Sequence, residues 1–108
     1  MRRGEVWWVE FDPSIGSEIR KTRPAVIISN DSANRNLHRV VVVPLSSNVV
    51  RLYPGEASIT LQGRPGKAMA DQIMAADKQR LKSQIGTVSR AELAGLEDAI
   101  QLHLGLPR

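Results

Sequence analysis

The sequence contains no cysteine, which excludes disulfide scaffolds, Cys-based zinc sites and thiol nucleophiles. Aromatic residues make up only 4% of its 108 positions, and three of the four, Trp7, Trp8 and Phe11, crowd one short segment. No apolar run approaches the roughly 20 residues needed to cross a bilayer. The opening Met1-Arg2-Arg3-Gly4-Glu5 turns acidic before a signal-like apolar region can begin, so a cytoplasmic protein is expected. The P-loop pattern G-x-x-x-x-G-K-[ST], the dinucleotide pattern G-x-G-x-x-G and the hydrolase elbow G-x-S-x-G are all missing. His38 and His103 show no metal-ligand spacing and are assigned to surface or packing roles.

What is present is ordinary globular composition, with 42% hydrophobic and 24% charged residues, enough for one domain over residues 1–108. Net charge is +4, and it is unevenly spread. Of the basic residues only Arg108 follows residue 90, whereas Glu92, Glu97 and Asp98 all do. A basic body suits a polyanionic partner, either nucleic acid or an acidic peptide. It also suits a merely soluble basic protein, and charge does not separate the two.

Most of the chain reads as short strands between turns. Residues 4–11 are rich in β-formers, with Trp7, Val9 and Phe11 on one face and Val6 and Trp8 on the other. Residues 12–23 form a long polar loop. Residues 24–29 (PAVIIS) and 39–45 (RVVVVPL) are near-continuous apolar runs, expected to be strands buried on both faces, with Pro24 tolerated only at a strand start. Residues 30–38 are expected to be turn, and 46–54 loop. Residues 56–61 alternate, placing Ala57, Ile59 and Leu61 inward. A turn is predicted at 63–66, a strand at 67–74, a helical turn at 77–81 and a last strand at 83–88. Ser89 and Glu92 spell a capping box, and Leu93, Leu96, Ile100 and Leu104 share one face of a helix that Gly105 ends. The expected fold is α+β, mainly β: a small bent barrel closed by a C-terminal helix.

The remaining chemistry is an inventory of loop groups: Arg20, Lys21 and Arg23, then Ser46, Ser47 and Asn48, then Asp71 and Gln72. Such groups bind phosphates and read base edges, but each alone is equally a solvated loop residue. Arg35, Arg39 and Arg51 are further phosphate-contact candidates that nothing ranks.

The ordered series is more specific. G-x-V-W at 4–7, F-D-P-x-x-G-S-E at 11–18, R-P-A-V-I-I-S-N at 23–30, V-V-V-P-L-S-S-N at 41–48, Tyr53-Pro54, A-D-Q-I at 70–73 and D-K-Q-R-L at 77–81 resemble the MazF/PemK toxin family across essentially the whole chain. The resemblance implies an SH3-like antiparallel β-barrel of the MazF/CcdB type with a C-terminal helix, assembled as a homodimer. It implies a sequence-specific endoribonuclease toxin of a toxin–antitoxin pair. Such a toxin cuts single-stranded RNA without a metal or other cofactor, and leaves a 2′,3′-cyclic phosphate and a 5′-hydroxyl. The cognate antitoxin is expected to cover the same surface with an acidic extended segment.

By the same resemblance Arg23, Ser46 and Glu18 are the catalytic residues, and Ser17, Arg20, Lys21, Ser47, Asn48 and Gln72 the RNA-binding ones. A planar guanidinium suits charge stabilisation on phosphate, whereas so strongly basic a group keeps its proton and makes a poor general base at neutral pH. Proton transfer by Arg23 is therefore the weaker assignment, and a flat pH profile fits charge stabilisation alone. Ser46 stands where the family generally has threonine, a looser rotor in the same place. Glu18 is expected to accept from the 2′-hydroxyl, to orient Arg23, or to form a loop ion pair with Arg20 or Lys21. Asn48 and Gln72 either read bases or close turns. Trp7 and Trp8 point to opposite faces of a strand, so at most one can be a stacking platform, and Trp7 is assigned to core.

The alternative is a non-enzymatic toxin like CcdB, which poisons DNA gyrase through a Trp-Gly-Ile terminus. This chain ends His-Leu-Gly-Leu-Pro-Arg instead. A third reading is a small RNA-binding barrel without catalysis.

Overall fold

The two apolar runs become the central strands β2 (Thr22–Ile27) and β3 (Arg39–Ser46) of a computed structural model that describes residues 1–107. Alternate side chains along them feed two cores. Val26, Val43 and Leu45 enter one, while Ala25, Ile27, Val40 and Val42 enter the other. Burial on both faces explains why these runs lack the polar alternation of a surface strand.

The other strands are β1 (Glu5–Glu10), β4 (Glu56–Leu61), β5 (Arg64–Met69), β6 (Met74–Asp77) and β7 (Leu81–Thr87). All pairings are antiparallel, in the order β4-β5-β3-β2-β1-β7, with β6 paired to β3. β3 is shared among three partners: residues 39–42 pair with β6, 42–44 with β2, and 45–46 with β5. This hand-over curls the sheet into the expected mainly β, SH3-like half-barrel.

Val9 of β1 and Phe11 just after it enter the second core and Trp7 packs against it, donating its indole N–H to Glu5 at 3.0 Å. Val6 enters the first core, and Trp8 is left exposed. β4 alternates as expected, with Ala57 and Ile59 buried.

The C-terminal helix α2 (Arg90–Leu104) carries its capping box intact. The Ser89 hydroxyl accepts the Glu92 amide at 3.1 Å, and the Glu92 carboxylate accepts the Ser89 amide at 3.0 Å. The same carboxylate also accepts the Thr60 amide, tying the helix start to β4. Burial pushes the Glu92 carboxyl up, but these amide and hydroxyl donors outweigh it and hold the group below the usual range. At the other end, Gly105 takes φ +67°, and amides of Gly105 and Leu106 reach the Leu102 and Gln101 carbonyls, a Schellman closure. Leu96 and Ala99 are fully inside, and Leu93 and Ile100 pack at the edge. Leu104 lies beyond the core and is half exposed, so the apolar face ends one turn early.

Four local expectations are corrected. Residues 30–38 are not only turn: α1 (Asp31–Asn36) forms there, capped by the Asn30 side chain accepting the Ala33 amide at 2.8 Å. Buried Asn34 anchors it by donating to the Ser29 carbonyl at 2.8 Å. Pro24 is the third residue of β2, not its first, and sits just before the β2–β3 ladder begins at Ala25–Pro44. A proline, which has no N–H to give, is accommodated where a ladder ends. The tight turn is Gln62-Gly63, both at positive φ, as a two-residue hairpin requires, so Arg64 and Pro65 already belong to β5. The strand predicted over 67–74 breaks after Met69 into a 3₁₀ turn (Ala70–Gln72) before β6 starts.

Candidate functional site

The rung Ala25–Pro44 is the last between β2 and β3. Beyond it β2 follows β1, with Arg23 opposite Val9, and β3 follows β5, with Ser46 opposite Lys67. The strands part, and a groove of roughly 660 Å³ opens between them. Arg23, Ser46, Ser47 and Asn48 line it, with Trp8 from β1 and Arg64 from the β4–β5 hairpin. Leu45 and Ile59 contribute apolar surface beneath these polar groups.

Arg23 is exposed, and its Nε donates to the Arg20 carbonyl at 3.3 Å. Among the described residues it has no carboxylate partner, and its two terminal nitrogens are uncommitted. The Ser46 hydroxyl accepts the Asn48 amide at 3.1 Å. The Asn48 side-chain carbonyl accepts the Val50 amide at 3.3 Å, which curls the chain back over the end of β3. Gly66 of β5 is what allows that strand to lie so close: a Cβ there would stand 3.1 Å from the Ser46 carbonyl oxygen. The site therefore offers a free guanidinium fork, hydroxyls and a primary amide, donors suited to phosphate oxygens and base edges.

The structure divides the other sequence-derived candidates from this set. Glu18 and Gln72 line a second hollow of roughly 300 Å³ with Phe11, Ile19, Asp71 and Met74. The Glu18 carboxylate accepts the Ile15 amide at 2.7 Å, closing the loop on itself. It neither orients Arg23 nor pairs with Arg20 or Lys21 in this chain. Gln72 acts as a clasp across the chain, accepting the Ile19 amide at 3.2 Å and donating to the Ser17 carbonyl at 3.5 Å. Ser17, Arg20 and Lys21 are exposed on the same loop. Lys21 holds φ +66°, and its carbonyl accepts the Phe11 amide at 2.8 Å.

Two contributors escaped sequence reasoning. Arg80 braces the loop start, donating to the Glu10 carbonyl at 3.0 Å and the Asp12 carbonyl at 2.7 Å. It sits in the D-K-Q-R-L motif, but no local pattern reveals partners some 70 positions away. Arg64 was expected inside a turn at 63–66, but the hairpin turns at Gln62-Gly63, and Arg64, the first residue of β5, lines the groove.

The curled half-barrel is of the SH3-like type, and its open surface groove presents an arginine with no carboxylate partner among the described residues, an arrangement suited to an anion. Comparison with known proteins narrows this. Residues 2–104 match the model of the PemK-like, MazF-like toxins of type II toxin–antitoxin systems, and the chain belongs to that family. It is 46% identical over 115 aligned positions to the endoribonuclease MazF9 of Mycobacterium tuberculosis, covering 98% of both chains. It is 35% identical to the endoribonuclease toxin MazF of Escherichia coli K12, covering 94% of this chain and 92% of that one. Among solved structures it resembles a mycobacterial endoribonuclease in complex with its cognate antitoxin, with TM-score 0.84 and 27% identity, covering 100% of this chain and 98% of that one. It also resembles MazF from Deinococcus radiodurans, with TM-score 0.87 and 25% identity, covering 98% and 97%. The gyrase-poison alternative is not favoured by these likenesses.

Proposed function

We propose that this chain is the endoribonuclease toxin of a toxin–antitoxin pair, cutting single-stranded RNA at preferred sequences and thereby arresting translation and growth. The observation that carries this reading is the meeting of Arg23 and Ser46 at the mouth of one groove, where β2 and β3 part. Family membership and the endoribonuclease relatives support it.

In the proposed reaction the 2′-oxygen of a nucleotide forms a bond to its own phosphorus while the bond from phosphorus to the 5′-oxygen breaks. The 2′-hydroxyl loses a proton, the leaving 5′-oxygen gains one, and the products are a 2′,3′-cyclic phosphate and a 5′-hydroxyl. In-line geometry and stabilisation of charge on the non-bridging oxygens are what the protein must supply. Arg23 takes the second role through its free terminal nitrogens, a planar fork that fits phosphate oxygens. Ser46 donates its hydroxyl to the same phosphate while continuing to accept the Asn48 amide. Asn48, with Ser47 beside it, reads a base edge, and Trp8 offers an exposed ring for stacking.

Arg20, Lys21 and Ser17 contact the strand from the long loop, which Gln72 holds in place. Glu18, committed here to the loop, is the member of the proposed set with least support from this geometry. The protein is proposed to act in the cytoplasm as a homodimer. Exposed Leu102, Leu104 and Leu106 at the C-terminal end are apolar surface that such an assembly would cover. The antitoxin is proposed to occupy the basic groove with an acidic extended segment.

The test is digestion of a long single-stranded RNA in excess EDTA, with Arg23→Ala alongside. Discrete cuts with cyclic-phosphate ends, lost in the variant, are expected. Cuts that persist in Arg23→Ala would reject the assignment of the groove, and intact RNA with the native protein would reject the activity.

A further inference from the structure

Ser47 and Asn48, at the groove, begin a segment, residues 47–55, with almost no apolar anchoring. Val50 is 90% exposed, and Val49, Leu52 and Tyr53 are also on the surface. What holds its middle is polar. Lys67 and Asn34 are the buried polar or charged residues of the described chain. Lys67 lies in β5 directly opposite Ser46 on one side and Ser58 on the other. Its ammonium donates to the Glu56 carboxylate at 3.0 Å and to the Arg51 carbonyl at 3.1 Å, and it stands 5.5 Å from the centre of the Tyr53 ring. Glu56 in turn accepts the Tyr53 amide at 2.8 Å, and the Glu56 amide donates to the Tyr53 carbonyl at 3.0 Å. Both side chains of the pair are about nine-tenths buried, at 10% and 9% residual exposure.

Taking both charges out of water costs energy that their attraction and hydrogen bonds must offset, and an apolar pair of similar volume often packs at least as well. An apolar pair cannot accept the Tyr53 amide or donate to the Arg51 carbonyl. The pair's distinctive work is therefore geometric. We infer that Lys67 and Glu56 are positioning residues, a buried latch that sets the course of residues 47–55 and through it the base preference of Asn48. The inference rests on the proposed ribonuclease reading. Lys67 itself touches no substrate in it. The latch acts by fixing Arg51 and Tyr53, three and five residues beyond Asn48, so that the amide at Asn48 meets one base edge in one orientation.

The double variant Lys67→Met with Glu56→Met removes both charges together, so neither is left buried alone. On a randomised single-stranded RNA pool it is expected to keep cutting, still dependent on Arg23. The ratio of cleavage at the preferred sequence to cleavage at the next best should fall about tenfold or more. Lys67→Arg, which keeps a donor cation, should retain most of that ratio. A folded double variant with the native ratio would overturn the inference, as would an equal slowing at every sequence, which is what a merely structural role produces.

Amide hydrogen exchange of the native protein supplies a second readout that needs neither variant nor RNA. The Tyr53 amide should exchange at least about tenfold more slowly than that of neighbouring Leu52. Equal exchange overturns the latch even if the double variant does not fold. If the native protein leaves RNA intact, the ribonuclease reading and the base-preference role fail together. Slow Tyr53 exchange would then show that the latch itself survives.

Discussion

The same two strands, β2 and β3, behave differently on either side of the Ala25–Pro44 rung. On one side Ala25–Ile27 and Val42–Pro44 are laddered together, and their side chains fill two cores. On the other side, within two residues, Arg23 and Ser46 are unpaired with each other and line an open groove. The proline content differs in the same way: Pro24 and Pro44 both sit at the changeover. A residue that cannot donate to a ladder marks where the ladder can stop, and backbone that stops pairing frees its side chains for a ligand. The fully zipped half supplies rigidity, and the parted half carries the proposed site, the arrangement a precise site needs.

The largest effects should separate the two halves cleanly. Arg23→Ala, on an exposed side chain, should cut the cleavage rate by about 100- to 1,000-fold, the usual loss for one charge-stabilising donor, with melting temperature nearly unchanged. Ile27→Ala, in the fully buried half, should do the reverse. It is expected to cost about 2–5 kcal/mol of stability while the folded fraction cuts at close to the native rate. A melting shift in Arg23→Ala as large as that in Ile27→Ala would break the comparison.

A smaller effect is expected at the boundary. Gly66→Ala places a methyl group 3.1 Å from the Ser46 carbonyl oxygen and equally close to the Ile59 side chain. The strain should cost about 1–2 kcal/mol and slow cleavage, because Ser46 must shift. An unchanged Ser46 amide resonance would contradict this.

The smallest effect is one of pH. The lowered Glu92 carboxyl contributes stability that is complete above its ordinary value of 4.5 and is lost as pH falls through its folded-state value. The melting-temperature gap between native protein and Glu92→Gln should therefore be constant near neutrality and shrink in acid. Cleavage at neutral pH should be equal for the two. A gap that widens in acid would contradict the sign.

The parts of the fold legible in the sequence are those decided locally. The Ser89–Glu92 capping box, the Gly105 stop and the alternation of Ala57 and Ile59 each depend on residues a few positions apart. The helix α1 was hidden because its six residues hold no full apolar period, and its anchor is the side chain of buried Asn34. The break after Met69 was hidden because β3 exchanges one partner strand for another, a tertiary event. At the site, Arg23, Ser46, Ser47 and Asn48 were legible and do meet in one groove. Glu18 and Gln72 belong to other motifs of the same series, and their bonds to Ile15, Ile19 and Ser17 draw them to a different hollow. Motif spacing specifies which residues matter to the family's pattern, not which of them one chain brings together.

In the proposed function RNA engages the parted ends of β2 and β3. The most direct measurement is a titration of the protein with a short single-stranded RNA carrying 2′-O-methyl groups, which cannot cleave, followed by amide and indole resonances. The largest changes are expected at Arg23, Ser46, Ser47, Asn48 and the Trp8 indole, with Ile27 and Val42 nearly still. Changes confined to the Glu18–Gln72 hollow, or to the zipped half of the sheet, would contradict it.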